Sequence, residues 1–285
     1  VSLRTRWTGR GLVAAVAATV LVTASPAPGQ VPAAVTPVTG SPVSALADGP
    51  ATTAVPTPER LRFLTYNIRY GSYGLPGVLR DIRRTRAEVV LLNEVDDRRR
   101  TGGVHQVGWL ARRLGMTWVY DADHRTARGT RGNAVLSRHR LGDERASALP
   151  WPRGTQRREA VRVTLTTSRV RAHVWVTHLN PGRGTVPQAR TVSRLVGDPT
   201  CLTLVGGDTN DGPGTPVDDA MRRHLDDTWR DVGRGPGHTN FQGVERIDYL
   251  YHRHLVARRA WTTPLRASDH RGVVGVLDLD PRLSC

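Results

Sequence analysis

Six short polar motifs each lie at an end of an apolar run: Thr65-Tyr66-Asn67-Ile68, Leu91-Leu92-Asn93-Glu94-Val95, Thr177-His178-Leu179, Gly207-Asp208-Thr209-Asn210-Asp211, Arg246-Ile247-Asp248-Tyr249 and Ser268-Asp269-His270. An apolar run that stops on a carboxylate, carboxamide or imidazole reads as a buried strand giving way to an accessible loop. Functional groups gather at such rims, because the scaffold below is rigid and the loop above is open. The pattern therefore constrains the chain to a sheet-based fold with polar groups delivered to strand ends.

The intervening segments support this. Leu61–Tyr66, Glu88–Leu92, Asn133–Ser137 and Leu202–Val205 read as buried strands. Arg162–Leu165 and Val170–Val176 flank the polar turn Thr167-Ser168-Arg169, which predicts a hairpin. In its second arm Val170, Ala172, Val174 and Val176 alternate with Arg171, His173 and Trp175, the period of a half-buried strand. Ile247–Tyr251, Val256–Trp261 and Val273–Leu277 read as late strands. Helical spacing recurs in four places: Val78, Leu79 and Ile82; Val107, Leu110, Ala111 and Leu114, with Gly115 as a stop; Ala189, Val192 and Val196; and Val217, Ala220, Met221 and Leu225. Together these predict one α+β domain with hairpin-rich strands and helices on the outer faces.

The N-terminal part is different. Arg4, Arg6 and Arg10 precede an apolar run from Gly11 to Ala24, followed by small residues and prolines. That order is expected of a secretory signal over residues 1–24, cleaved after Ala24 or Ala27. The run falls short of the roughly 20 residues that span a bilayer, with an uncleaved anchor as the alternative. Residues 25–59 are rich in Pro, Ala and Thr and read as a disordered or extended linker. The folded domain is expected over residues 60–285, in a protein that is secreted or held in the cell envelope.

All 41 basic residues of the 285 are Arg, and the net charge is +16. A basic surface suits phosphate-rich partners, but complete replacement of Lys by Arg is also what a GC-rich genome produces, so many arginines are simply solvated surface. Cys201 and Cys285 are the only cysteines. In an exported protein they form one disulfide, worth roughly 4 kcal/mol in the chain-entropy model, or else stand as a buried and a terminal thiol.

The polar residues at the strand ends are the parts of a hard-metal phosphoryl-transfer site. Oxygen ligands suit Mg2+, imidazoles handle protons near neutral pH, and the reaction needs chiefly placement of water and stabilisation of negative charge. Glu94 is the best metal ligand, against the alternative of a solvated loop acid beside Asp96 and Asp97. Asn67 alone reads as readily as a strand-end cap. Asp208 and Asn210, two residues apart after Gly206-Gly207, aim at one point or else form a simple turn. His178 ends the alternating strand. Asp248 is positioned to fix the tautomer of His270, or pairs with an arginine. His252 and His254 lack a ligand set of the kind zinc needs. The chain has no phosphate-cradling P-loop, no Gly-x-Ser-x-Gly elbow and no paired-Cys motif.

In order and spacing, the six motifs resemble the endonuclease/exonuclease/phosphatase superfamily, the deoxyribonuclease-like and neutral-sphingomyelinase-like metal-dependent hydrolases. Gly132-Asn133-Ala134-Val135-Leu136-Ser137-Arg138 is similar to a strand of that family, and the likeness runs from about Leu61 to Leu279. The resemblance implies a four-layer αββα sandwich of two packed, mostly antiparallel β-sheets with outer helices. It implies Glu94 and Asp269 at the metal, normally Mg2+ with Mn2+ or Ca2+ as alternatives, and Asn67 near metal or phosphate. It further implies Asp208 orienting the attacking water, Asn210 and His178 on the phosphoryl group, and His270 oriented by Asp248. Asn93 stands where the family usually has Gln, and Thr209 where an aromatic is common.

The expected substrate is a phosphoester, with nucleic acid and phospholipid head groups both open and inositol phosphates compatible. A monomer with no stable protein partner is expected. A lipid enzyme should carry exposed apolar loops, for which Trp151 between Pro150 and Pro152 is the obvious candidate. A non-catalytic envelope or nucleic-acid-binding domain is the alternative class, disfavoured by the retention of all eight polar positions.

Overall fold

The computed structural model describes residues 56–97, 104–126, 129–197 and 200–285. The expected signal segment, and the expected linker up to residue 55, lie outside the described residues. Seventeen strands and helices organise the rest. They run β1 Glu59–Asn67, α1 Leu75–Thr85, β2 Val89–Asp97, α2 Gln106–Leu114, β3 Thr117–Thr126, β4 Gly129–Ser137, β5 Arg140–Ala148, β6 Glu159–Thr166 and β7 Arg171–His178. They continue with α3 Thr185–Leu195, β8 Thr203–Asp208, α4 Pro216–Met221, β9 Asp226–Asp227, α5 Thr228–Val232, β10 Asp248–Arg253, β11 Leu255–Thr262 and β12 Val273–Leu279.

Two six-stranded sheets form, in the orders β11-β12-β1-β2-β4-β3 and β5-β6-β7-β8-β10-β9. Each is antiparallel except for one central parallel pair, β1 with β2 and β7 with β8. A helix makes each parallel crossover, α1 in the first sheet and α3 in the second. Between the sheets lies an apolar layer that includes Phe63, Leu91, Val135, Val163, Val174, Leu204 and Leu277. On the outside, α1 and α2 cover the first sheet through Val78, Ile82, Val107 and Leu110, and α3 and α4 cover the second through Ala189, Val192, Val217 and Met221. This is the four-layer αββα sandwich.

The local signals act as expected at several ends. His105 caps α2, its side chain accepting from Gly108 N, and Gly115 closes the helix in the left-handed region at φ 64°. Val217, Ala220 and Met221 form the buried face of α4, but that helix stops at Met221, before Leu225. The alternation of β7 predicts one polar face, and the structure buries part of it. Val170, Ala172, Val174 and Val176 do face the inter-sheet layer, but Trp175 is buried too, beneath α3 and α4. From Val174 to His178 strand β7 is covered on both faces, because outer helices bury what would otherwise be the polar face.

Candidate active site

Strand direction brings the polar motifs to one rim. Parallel pairing sets the C-terminal ends of β1 and β2 side by side, with Asn67 opposite Asn93. It does the same for β7 and β8, with His178 opposite Asp208. Antiparallel β10 then starts where β8 ends, so Asp248 lies opposite Asp208. The segment Ser268-Asp269-His270 leads into β12, which runs antiparallel to β1 from Val273 opposite Thr65.

At the centre is Asp208, 1% exposed. Its Oδ2 accepts from Asn67 Nδ2 at 3.0 Å and lies 3.5 Å from His178 Nε2 and 3.8 Å from His270 Nε2. Its Oδ1 accepts from the Asn210 backbone N–H at 2.8 Å. Asn210 Nδ2 donates to Leu179 O at 2.8 Å and lies 3.0 Å from His178 Nε2. His270 Nδ1 and Asp248 Oδ2 are 2.8 Å apart, so Asp248 pairs with the imidazole and not with an arginine. Six of the sequence-predicted residues thus form one connected group: Asn67, His178, Asp208, Asn210, Asp248 and His270.

The two expected metal ligands stand at its edge. Asp269 is bonded by Ser268 Oγ and sits 3.2 Å from Arg69 Nη1, while Ser268 Oγ also donates to Asn67 O at 2.7 Å. Glu94 does not end a strand. Strand β2 continues to Asp97, and Glu94 sits on a bulge where the pairing with β4 shifts between Leu92 and Val95. Its backbone is left-handed at φ 54°. It is half-buried, and its carboxylate makes no hydrogen bond or ion pair among the described residues. A bulge of this kind re-aims a side chain. Arg69, Tyr70 and Asn210 also have positive φ, so much of the backbone strain in non-glycine residues is concentrated at this rim.

Charge follows from burial and neighbours. Burial and the nearby Asp248 raise the Asp208 carboxyl to about 7, with His270 opposing. Burial disfavours an imidazolium at His270, but the hydrogen-bonded Asp248, with Asp208 and Asp269, outweighs it and holds the ring protonated up to about 10. His178 is pushed the other way. Its burial and the neighbouring Arg158 keep it well below the ordinary histidine value, so it is neutral.

Several residues of the site escaped the sequence reading. Arg158 is buried, with Nη1 3.1 Å from His178 Nδ1, Nε donating to Asn180 Oδ1 and Nη1 3.6 Å from Asp123. One arginine among 41 basic residues carries no signal of its own; its position just before the apolar run of β6 is the only hint. Asn93, noted only as a departure from Gln, joins the sheets: Nδ2 donates to Asn133 Oδ1 and Thr177 O, and Oδ1 accepts from Asp208 N. Gly207 makes room for this junction, since a Cβ there would lie 1.8 Å from Thr177 O. On the far rim Cys201 and Cys285 are joined as a disulfide.

The donor set suits a hard cation. Asp208 and Asp248 bring carboxylate oxygens close together, Asp248 Oδ1 is buried without a hydrogen-bond partner, and the Glu94 carboxylate is unengaged among the described residues; His270, held protonated by Asp248, has no lone pair to give a metal. No thiol is present, and oxygen predominates.

The family model described as "Endonuclease/Exonuclease/phosphatase family" matches residues 64–270. The chain belongs to this family. An endonuclease/exonuclease/phosphatase from Beutenbergia cavernae is 28% identical, with a TM-score of 0.63 over 77% of this chain and 72% of that one. The human Nocturnin catalytic domain with bound sulfate shares 20% identity and a TM-score of 0.62 over 78% and 93% of the two chains. A humanised D. rerio TDP2 shares 16% and 0.59 over 76% and 98%. The last two likenesses are of fold. No curated protein matches the chain.

Proposed function

We propose that the protein is a secreted, Mg2+-dependent phosphoesterase that hydrolyses phosphodiester or phosphomonoester bonds by in-line attack of water. The observation that carries this reading is the convergence of Asn67, His178 and His270 on the buried Asp208 carboxylate, with Glu94, next in sequence to the Asp208-bonded Asn93, unengaged among the described residues.

Glu94 and Asp269 would hold the ion, with Mn2+ and Ca2+ as alternatives. When bound, it supplies neutralisation of the negative charge that develops on the phosphoryl oxygens. Asp208, its carboxyl raised by burial and by the nearby Asp248, is placed to accept a proton from the attacking water. Asn67 and the Asn210 N–H fix its two oxygens. His270, kept cationic by Asp248, stabilises negative charge in the transition state and is unsuited to act as a base. Neutral His178, packed against Arg158, orients the phosphoryl group together with Asn210.

Hydrolysis of bis(p-nitrophenyl) phosphate, plasmid DNA, RNA and sphingomyelin by the purified protein, with Mg2+ and with excess EDTA, tests the proposal. Turnover of at least one substrate with Mg2+ and none in EDTA is expected. Full activity in EDTA, or none on any phosphoester, overturns it. The Arg-rich start and short apolar run motivate export; mass spectrometry of culture supernatant should find an N-terminus near residues 25 to 28. Protein confined to the cytosol refutes this.

A further inference from the structure

Large apolar side chains stand exposed at the active-site rim on three separate loops. Tyr73 is 54% exposed, Trp151 57%, Phe241 64% and Val244 63%. Each loop is tied to the reacting groups. Arg69 donates to Tyr73 Oη and pairs with Asp269. The Trp151 loop gives Gln156 O to Asn180 Nδ2 and carries Arg158, which reaches His178. The Phe241 turn begins at Thr239, whose carbonyl accepts from Arg271 N and whose hydroxyl accepts from Asp248 N.

Two of the rings pack against guanidinium groups. Arg69 lies over Tyr73 at 5.6 Å and Arg157 over Trp151 at 5.1 Å. Trp151 is also fixed in place, since Nε1 donates to Thr155 O at 2.7 Å and Pro150 O accepts from Gln188. Rigid aromatic faces alternating with arginines match a polymer that offers π-faces and phosphates in turn.

We propose that Tyr73, Trp151 and Phe241 form a stacking rim that selects single-stranded nucleic acid, a reading that rests on phosphodiester hydrolysis at the site they surround. A duplex keeps its bases stacked inside and is stiff over some 150 base pairs. A single strand bends to deliver one phosphate to the buried Asp208 while its unstacked bases lie on the surrounding rings. A lipid bilayer fits less well. Docking there would carry Arg69 and Arg157, packed on their rings, toward the hydrocarbon, where charge is costly.

The test uses the whole protein and the variants Trp151→Ala, Phe241→Ala and Trp151→Phe. Binding is read by fluorescence anisotropy in EDTA with a labelled single-stranded 12-mer and its duplex, so it does not depend on turnover. Each alanine variant should bind the single strand about 5- to 100-fold more weakly, and Trp151→Phe should recover most of the loss. The duplex should bind more weakly than the single strand and respond little to the substitutions. With Mg2+, the alanine variants should raise KM for the oligonucleotide and change kcat little, the split that lost ground-state binding produces. Undiminished single-strand binding by both alanine variants, or equal preference for the duplex, overturns the proposal. So does sedimentation with phosphatidylserine vesicles that is lost on substitution while oligonucleotide binding persists. If the stacking losses appear but no phosphoester is cleaved, the rim stands and the hydrolase reading fails.

Discussion

Asn93 should be worth more to this protein than any other neutral side chain at the site. It is fully buried, and its carboxamide makes three bonds: Oδ1 accepts from Asp208 N at 2.9 Å, and Nδ2 donates to Thr177 O at 2.9 Å and to Asn133 Oδ1 at 2.7 Å. It thereby joins β2 and β4 of one sheet to β7 and β8 of the other. Asn93→Ala strips partners from three buried groups at about 1–3 kcal/mol each. Water entering the vacated space recovers part of this, leaving an expected loss of about 3–5 kcal/mol, a large share of the roughly 5–15 kcal/mol that holds a domain together. Asn93→Asp keeps the acceptor toward Asp208 N but turns the donor into an acceptor facing two oxygens. Burial and those oxygens would raise the folded pKa of the introduced carboxyl. Stability of that variant should therefore fall as pH rises from about 4 through the folded value, and recover in acid, where the protonated carboxyl donates again. Urea unfolding followed by tryptophan fluorescence at pH 5 and pH 8 reads both effects. Losses under about 1 kcal/mol in both variants, or an Asp variant insensitive to pH, would refute the idea that this junction supports the fold.

Glu94→Gln should leave the melting temperature near that of the wild type, because the carboxylate has no partner among the described residues to lose, yet remove most Mg2+-dependent turnover; retention of more than half the activity counts against Glu94 as a ligand. Asp248→Asn and His270→Ala should each cost turnover, about 100- to 10,000-fold for His270→Ala, and the double variant should be little worse than His270→Ala alone; strictly multiplicative losses in folded protein would show independent action. Gly207→Ala should cost about 3 kcal/mol or more, or prevent folding, since its Cβ would meet Thr177 O at 1.8 Å; a stable, active variant refutes the close approach. Asp278, between Arg60 and Arg258, has a carboxyl held below its ordinary 3.8 by the hydrogen bond from Arg60. A lowered folded pKa means that its contribution is present above about 4 and lost as pH falls through the folded value. Because both arginines are largely exposed, Asp278→Asn should cost no more than about 1 kcal/mol at pH 7 and progressively less as pH falls below about 4; a cost independent of pH would show that charge is not the cause.

The parts of the fold with a strong period were legible. Buried strands such as Leu202–Val205 and the apolar faces of α1 and α2 announce themselves, because a face that must be covered shows its spacing in the sequence. Strands β3 and β5 did not. Strand β3 breaks its alternation at a register shift between Asp121 and His124, and β5 is an edge strand with no fully buried residue and few large apolar ones, so neither satisfies a strand template. The Glu94 bulge was equally hidden, since nothing in Asn93-Glu94-Val95 distinguishes a strand end from a strand with one extra residue. Arg158 and Asn133 belong to the site through contacts with residues 20 and 40 positions away, a relation that only the assembled sheets reveal.

Why the six motifs converge follows from strand direction. A parallel pair presents both C-terminal ends on one rim, and each sheet has one such pair at its centre. Asn67 and Asn93 arrive together in the first sheet, His178 and Asp208 in the second. An antiparallel neighbour begins where its partner ends, so Asp248 must sit at the start of β10 to meet Asp208, and His270 must precede β12 to meet both. That geometry explains why some polar residues end apolar runs and others open them. It also makes the site a product of two sheets held in register. Asp208 is held from one sheet to the other by Asn67 Nδ2 and Asn93 Oδ1, and a slip between the layers would separate it from both. The inter-sheet carboxamides are thus coupled to catalysis as well as to stability. A substitution that loosens them should lower turnover in the folded fraction before it lowers the amount of folded protein.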